Sequence, residues 1–313
     1  MGHKIAFLFP GQGSQFVGMG QALMEQFPGV EHIFRETDRI CGKPITNLSF
    51  EGPMSELTLT ENCQPAITAV SLACLSVLNE SGVKSSVSAG HSVGECAAMV
   101  SAGIVSETDA LRLVHKRGAL MHREALANPG HMAAVIGLDM GAVLEIVAEA
   151  KNGEILDVAN HNTAQQIVIT GQKDPVARAV QLAKEKKAKA IPLKVSGAWH
   201  SGLMQGGVDE FRAFMEDIPF SSPRSDMIFN ATAQCETDPE RIKDIMANQL
   251  VSPVKWYDIM RKMLDDGVDT FVEVGPKKVL AGLLKKIASP DDAISVFTVQ
   301  DPEGLESALE EIS

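Results

Sequence analysis

The chain has 313 residues, 45% hydrophobic and 22% charged, with a formal net charge of −12 at pH 7. That length and apolar content suffice for one large domain or a domain with a smaller companion. The acidic balance excludes general nucleic-acid binding, which needs a basic field over the phosphates, and no apolar run approaches the ~20 residues needed to cross a bilayer.

The first segment, Met1-Gly2-His3-Lys4, enters a strand over 4–9 without the long apolar stretch of a signal peptide. Gly2 invites a myristoylation reading, but Ala6 stands where that signal takes Ser or Thr. The strand runs into LFPGQGSQFVGMG, a glycine-rich turn. After Gly11 and Gly13 the next glycine is Gly18, too late for the Gly-x-Gly-x-x-Gly of a dinucleotide cradle. Helices follow near 18–27 and 65–80, then a strand over 86–90 and a helix from about 93. A long helix over 107–126 opens on Ser106 with Asp109 three residues on, a capping-box pattern. The rhythm then changes. Strands 132–136, 155–159, 166–170 and 190–195 alternate with helices 140–151 and 174–187, giving the βαββαβ order of the ferredoxin-like motif. The last third returns to helix 202–216, strand 226–230, helices 239–248 and 254–266, strand 269–274 and a helix after Gly275-Pro276. The expected fold is α/β. A large α/β-hydrolase-like domain with a parallel sheet is built from 1–128 and 199–313, and a small ferredoxin-like α+β domain, 129–198, is inserted between Pro129-Gly130 and Ser196-Gly197.

Five cysteines, none in a Cys-x-x-Cys pair, fit reduced thiols in a cytoplasmic protein better than a disulfide framework. No zinc spacing is present. His115 and His122 lie two turns apart on one helix with no third ligand, so they read as surface histidines and no metal is expected.

Gly90-His91-Ser92-Val93-Gly94 fits Gly-x-Ser-x-Gly between a strand and a helix of small residues. In that setting the glycines allow a sharp turn that exposes the Ser92 hydroxyl, and the helix N-terminus offers N–H groups to an oxyanion. A serine that merely caps the helix is the plainer alternative. A nucleophilic serine needs a base. His91 adjoins it, but neighbouring side chains diverge at such a turn, which makes His91 a packing residue. His200, in Ser196-Gly197-Ala198-Trp199-His200-Ser201, lies just past the inserted unit, where a cleft between domains would form. On a wheel of about 100° per residue, Arg117 falls at the centre of the stripe Ala110, Leu113, Val114, Leu120 and Met121 and so points inward. A buried guanidinium needs an anionic partner. The wheel leaves two candidates, a fixed carboxylate or a carboxylate on the substrate.

These stretches resemble the malonyl-CoA:acyl carrier protein transacylases and the acyltransferase domains of fatty-acid and polyketide synthases. The matching residues are Pro10-Gly11-Gln12-Gly13-Ser14-Gln15, Gly90-His91-Ser92-Val93-Gly94-Glu95, Lys116-Arg117-Gly118 with Met121, Met132 to Gly137, Trp199-His200-Ser201 with Met204, Gln249 with Pro253-Val254 and Trp256, and Glu273 to Pro276. They run in the family's order over nearly the whole chain. The resemblance implies transfer of a malonyl group from malonyl-CoA to the phosphopantetheine thiol of an acyl carrier protein, with no metal or other cofactor and ping-pong kinetics. Ser92 would be the acylated nucleophile and His200 its base. The N–H groups of Gln12 and Val93 would form the oxyanion hole, and Arg117 would hold the malonyl carboxylate. The main-chain carbonyl of Gln249 would orient the histidine, while the Gln12 and Gln15 side chains would fix the first turn. Trp199 stands where Phe or Ser is common and would narrow the pocket in favour of malonyl over α-branched units; Asn162 matches a polar residue near the site. Carrier proteins of this kind are acidic, so a local basic face would be needed, either Lys277, Lys278, Lys285 and Lys286 or Lys184, Lys186, Lys187 and Lys189. A monomer serving fatty-acid synthesis is the default expectation, and a discrete acyltransferase of a polyketide assembly line shares the motifs, as does a transacylase subunit of malonate decarboxylation. A serine esterase would share Gly-x-Ser-x-Gly but requires an acid in its triad and has no use for Arg117. A non-catalytic subunit that docks carrier proteins would leave Ser92 unacylated.

Overall fold

The structure is a computed structural model and describes residues 3–312. Its strands, in chain order, are β1 (Ile5–Phe9), β2 (Val87–Gly90), β3 (His131–Ile136), β4 (Leu156–Thr163), β5 (Gln166–Gly171), β6 (Lys189–Pro192), β7 (Asp226–Met227), β8 (Thr270–Val274) and β9 (Ser295–Val299). They form two sheets. One has the order β7-β2-β1-β8-β9, and each of its pairings is parallel. Its central strands have both faces covered, as a parallel sheet requires: Ala6 to Phe9 and Phe271 to Val274, with Glu273 among them, are all buried. The other sheet is antiparallel with the order β4-β5-β3-β6, the arrangement of a ferredoxin-like βαββαβ unit, and helices Met140–Lys151 and Lys173–Glu185 cover it.

The carboxyl ends of β1 and β2 lie side by side, with Phe9 opposite Gly90. Ligands of parallel α/β sheets bind outside such ends. Two buried helices of 21 residues, Thr60–Glu80 and Glu107–Ala127, pack on each other behind them. The second is capped as expected: Ser106 Oγ accepts from the Asp109 N–H at 3.1 Å. At β4 the small sheet is tied to the loop before helix Trp256–Asp265, where Val254 N donates to Ala159 O at 2.8 Å and His161 N to Val254 O at 2.9 Å.

Several elements differ from the sequence expectation. The helix near 65–80 begins at Thr60, one turn early, with Pro65 inside it. Proline so near a helix start removes a single hydrogen bond, so the helix runs through it. Strand 226–230 pairs only over Asp226–Met227, because Phe229 turns back to accept from Ala233 N and Asn230 leaves the sheet. The stretch 202–216 is broken into 3-10 turns at Gly202–Gly207 and Met215–Asp217 around a short α-helix, Val208–Phe214. The strand over 190–195 stops at Pro192, which cannot donate to a ladder. Helices Glu31–Cys41, Ile45–Glu51 and Met54–Leu57, strand β9 and helix Pro302–Ile312 occupy stretches where no element is predicted. Among the described residues, no helix is long and apolar enough to cross a membrane.

Candidate active site

The turn after β2 is a nucleophile elbow. Ser92 sits at φ +54°, a left-handed conformation that non-glycine residues rarely adopt and that is held here by its surroundings. The flanking glycines are required by space. A Cβ on Gly90 would lie 2.0 Å from the Gly94 carbonyl carbon, and one on Gly94 would lie 2.2 Å from the Phe9 carbonyl oxygen. The first glycine-rich turn reaches the elbow in the same way: a Cβ on Gly11 would lie 2.5 Å from His91 O. Its glutamines fix that turn, Gln15 Oε1 accepting from Gly13 N at 2.7 Å and Gln12 Nε2 donating to Thr60 Oγ1 at 3.2 Å.

Ser92 and His91 point apart. The Ser92 hydroxyl meets His200 Nε2 at 2.8 Å. His91 Nε2 meets Asn162 Oδ1 at 3.0 Å, and its ring tilts over Trp256. His200 is also at positive φ, +60°, and is buried. Its Nδ1 lies 2.9 Å from Gln249 O, a carbonyl that can only accept. Nδ1 therefore carries the proton, and Nε2 is left to accept from Ser92. Burial, and then the charge of Arg117, push the His200 pKa down to about 3, so the imidazole is neutral.

Arg117 is fully buried, as the helix wheel requires. Its Nη1 donates to Gln64 Oε1 at 2.8 Å, and its Nη2 to Gln249 Oε1 at 2.6 Å and Ser92 Oγ at 3.1 Å. Among the described residues no carboxylate touches it, and its Nε has no partner. The fixed counter-ion that the helix wheel left open is not in direct contact.

A cavity of about 120 Å³ opens over Ser92, lined by Gln12, Gln64, Val93, Met121, Trp199 and His200 among others. The small sheet contributes Met132 and Asn160 to its wall, and the loop after β6 contributes Leu193 and Val195. Trp199 is 6% exposed and presents its ring to this space. Ser92, Val93, His200, Gln12, Arg117, Trp199 and Gln249 thus come together from five separate stretches of chain. Asn162 reaches the cavity only through its contact with His91.

Three further residues of the site escaped sequence reading. Gln64 lies in the unanticipated start of its helix, just before Pro65. Asn230 lies where β7 ends early; its Oδ1 accepts from Ser92 N at 2.7 Å and its Nδ2 donates to Gly90 O at 2.6 Å. Glu95, quoted only as part of a motif, is fully buried and bonded to Asn230 N and the Gln249 amide. A polar residue at the end of a predicted strand was the available signal for Asn230. For Gln64 the only signal was a glutamine beside a proline.

The acyl transferase domain model matches residues 6–299. A malonyl CoA-acyl carrier protein transacylase of Bacillus subtilis is 41% identical over 309 residues, covering 98% of this chain and 96% of the relative. An acyl carrier protein S-malonyltransferase of Vibrio cholerae superposes with a TM-score of 0.92 at 39% identity over 97% of this chain and 99% of its own. A malonyl-transacylase solved in complex with a type II PKS acyl-carrier protein gives 0.93 at 37% identity over 98% and 99%. With this serine–histidine pair at its elbow and these matches along its length, the chain belongs to the acyl transferase domain family.

Proposed function

We propose that this protein transfers a malonyl group from malonyl-CoA to the phosphopantetheine thiol of an acyl carrier protein through a malonyl-serine intermediate. The observation that carries the reading is Arg117, a buried guanidinium with no touching carboxylate, 3.1 Å from the Ser92 hydroxyl that His200 is placed to deprotonate. Such a cation favours an acyl group that brings its own carboxylate. The relatives named for malonyl transfer support the same substrate.

In this reading the malonyl carboxylate takes over donors of Arg117, and Ser92 Oγ attacks the thioester carbonyl while His200 Nε2 takes its proton. The carbonyl oxygen becomes an oxyanion facing the backbone N–H groups of Gln12 and Val93, and loss of one such donor costs about 10²–10³ in rate. His200 returns the proton to the leaving CoA thiolate. The carrier thiol then attacks the malonyl-serine by the same steps in reverse, giving ping-pong kinetics. Trp199 narrows the cavity and favours malonyl over α-branched units. No metal or redox cofactor enters the scheme, and the protein works as a cytoplasmic monomer that supplies fatty-acid synthesis. Service to a polyketide assembly line is the second reading, favoured by the structural match to a transacylase bound to a type II PKS acyl-carrier protein.

The test is intact mass after mixing with malonyl-CoA and quenching in acid. One malonyl adduct is expected, absent in Ser92→Ala, with Arg117→Ala shifting preference toward acetyl-CoA. No adduct at any quench time would sink the covalent mechanism and leave a docking subunit.

A further inference from the structure

A guanidinium with no ionic partner in the interior is costly, yet a carboxylate bonded directly to Arg117 would compete with the substrate's own. The structure holds a third arrangement. The Glu95 carboxylate is fully buried. Its Oε1 accepts from Asn230 N at 2.6 Å, and its Oε2 accepts from Gln249 Nε2. The other end of that amide, Gln249 Oε1, accepts from Arg117 Nη2 at 2.6 Å. Anion, amide and cation stand in line, with one N–H of the amide on the anion and its oxygen on the cation; the same nitrogen also donates to Ser92 O at 2.9 Å.

We propose that Glu95 is the counter-ion of Arg117 at one remove, a positioning residue that selects carboxylated acyl groups by fixing the polarity of the Gln249 side chain. The inference rests on the reading of Arg117 as the malonyl clamp. Held through an amide, the guanidinium is oriented and electrostatically compensated, but its remaining donor capacity is left for the substrate. The Arg117 charge in turn helps keep Glu95 ionised against burial, which pushes its carboxyl up to about 7. Both oxygens of Glu95 accept from N–H donors, so a glutamine at 95 cannot satisfy both. Either it sets an N–H against Asn230 N, or its amide nitrogen faces Gln249 and turns that amide over. The turned amide points N–H groups at Arg117, and the clamp loses its acceptor.

The experiment measures kcat/KM for malonyl-CoA and acetyl-CoA, with one carrier protein as acceptor, in wild type, Glu95→Gln, Gln249→Met, Arg117→Ala and the Glu95→Gln/Arg117→Ala pair. Glu95→Gln is expected to lower the malonyl-to-acetyl ratio about tenfold, chiefly through the KM for malonyl-CoA. Gln249→Met cuts the chain in its middle, and with it the side-chain bond to Ser92 O, while keeping the main-chain carbonyl on His200, and is expected to lower the ratio likewise. It decides the matter if Glu95→Gln fails to fold. Added to Arg117→Ala, Glu95→Gln is expected to change the ratio no further, because both act on one group. A merely structural Glu95 would depress both substrates alike. A ratio that falls in Arg117→Ala but stays within about twofold of wild type in folded Glu95→Gln and Gln249→Met overturns this inference alone. A ratio unchanged in Arg117→Ala overturns the clamp and the inference together.

Discussion

At the scale of single residues, the site is governed by one buried cation beside one buried imidazole. In the proposed mechanism the working form of His200 is neutral, and both burial and the Arg117 charge disfavour its protonation. A pKa shifted down from 6.5 extends the active form to lower pH, so activity persists as pH falls through 6.5 and is lost only well below it. The measurement is the pH profile of kcat/KM for acetyl-CoA, whose acyl group makes no demand on the carboxylate clamp. Its acid limb is expected below the ordinary histidine range, and Arg117→Ala is expected to move that limb upward by removing a neighbouring positive charge. A wild-type limb at or above 6.5 would contradict the assigned environment of His200. The residues that carry this chemistry were legible because each breaks a local rule. Ser92 sits between close glycines, Arg117 lies in an apolar stripe, and His200 stands alone in a loop. Glu95, Gln64 and Asn230 break none, since their role comes from partners distant in sequence: Gln249 is 154 residues from Glu95.

At the scale of elements, the elbow tolerates no added atom. Gly94→Ala would drive a Cβ into the Phe9 carbonyl, which belongs to a central strand and cannot yield. Overpacking of this kind against backbone costs ~1–3 kcal/mol or more and must displace Ser92 from His200. The expected result is a protein of lowered melting temperature that does not form the malonyl adduct; a stable, fully acylating Gly94→Ala would refute the tight-turn account. The same tightness made the elbow readable, since the pentapeptide and its strand–helix setting are local. The parallel strands and the long amphipathic helix were readable by periodicity, and the Ser106 cap by its spacing. What was missed follows from physics beyond the local window. Strand β9 is only partly buried along most of its length and gains its place by pairing with β8. The short helices between residues 27 and 60 are formed by packing on the core rather than by local caps, as none of their N-cap residues makes a side-chain cap bond. The early start of the helix at Thr60 was hidden by Pro65, a residue more often found at a helix start than a turn inside it.

At the scale of the molecule, the proposed function asks an acidic protein to receive a carrier expected to be acidic, and the position of its lysines decides where. Lys277 bridges to the site itself: its Nζ donates to Gly13 O at 3.1 Å, in the turn whose Gln12 lines the cavity. Lys278 is the next residue and is exposed, while Lys285 and Lys286 lie two turns further along helix Val279–Ile287. The other cluster is remote. Lys189 pairs with Ile136, at the opposite end of β3 from the cavity-lining Met132, four residues or ~13 Å away, and Lys186 is already engaged by Glu145. Proximity therefore favours the first cluster, and within it Lys278, because Lys277 is partly committed to the turn. Reversal of one interfacial charge acts on encounter and is screened by salt. Lys278→Glu is expected to raise the KM for the carrier protein about tenfold at low ionic strength and to flatten its rise with added salt. The pair Lys187→Glu with Lys189→Glu is expected to leave that KM unchanged. An unchanged carrier KM in Lys278→Glu, with a raised one in the distal pair, would place the carrier on the small domain's far face, from which its phosphopantetheine arm would have to span the length of β3 to reach Ser92.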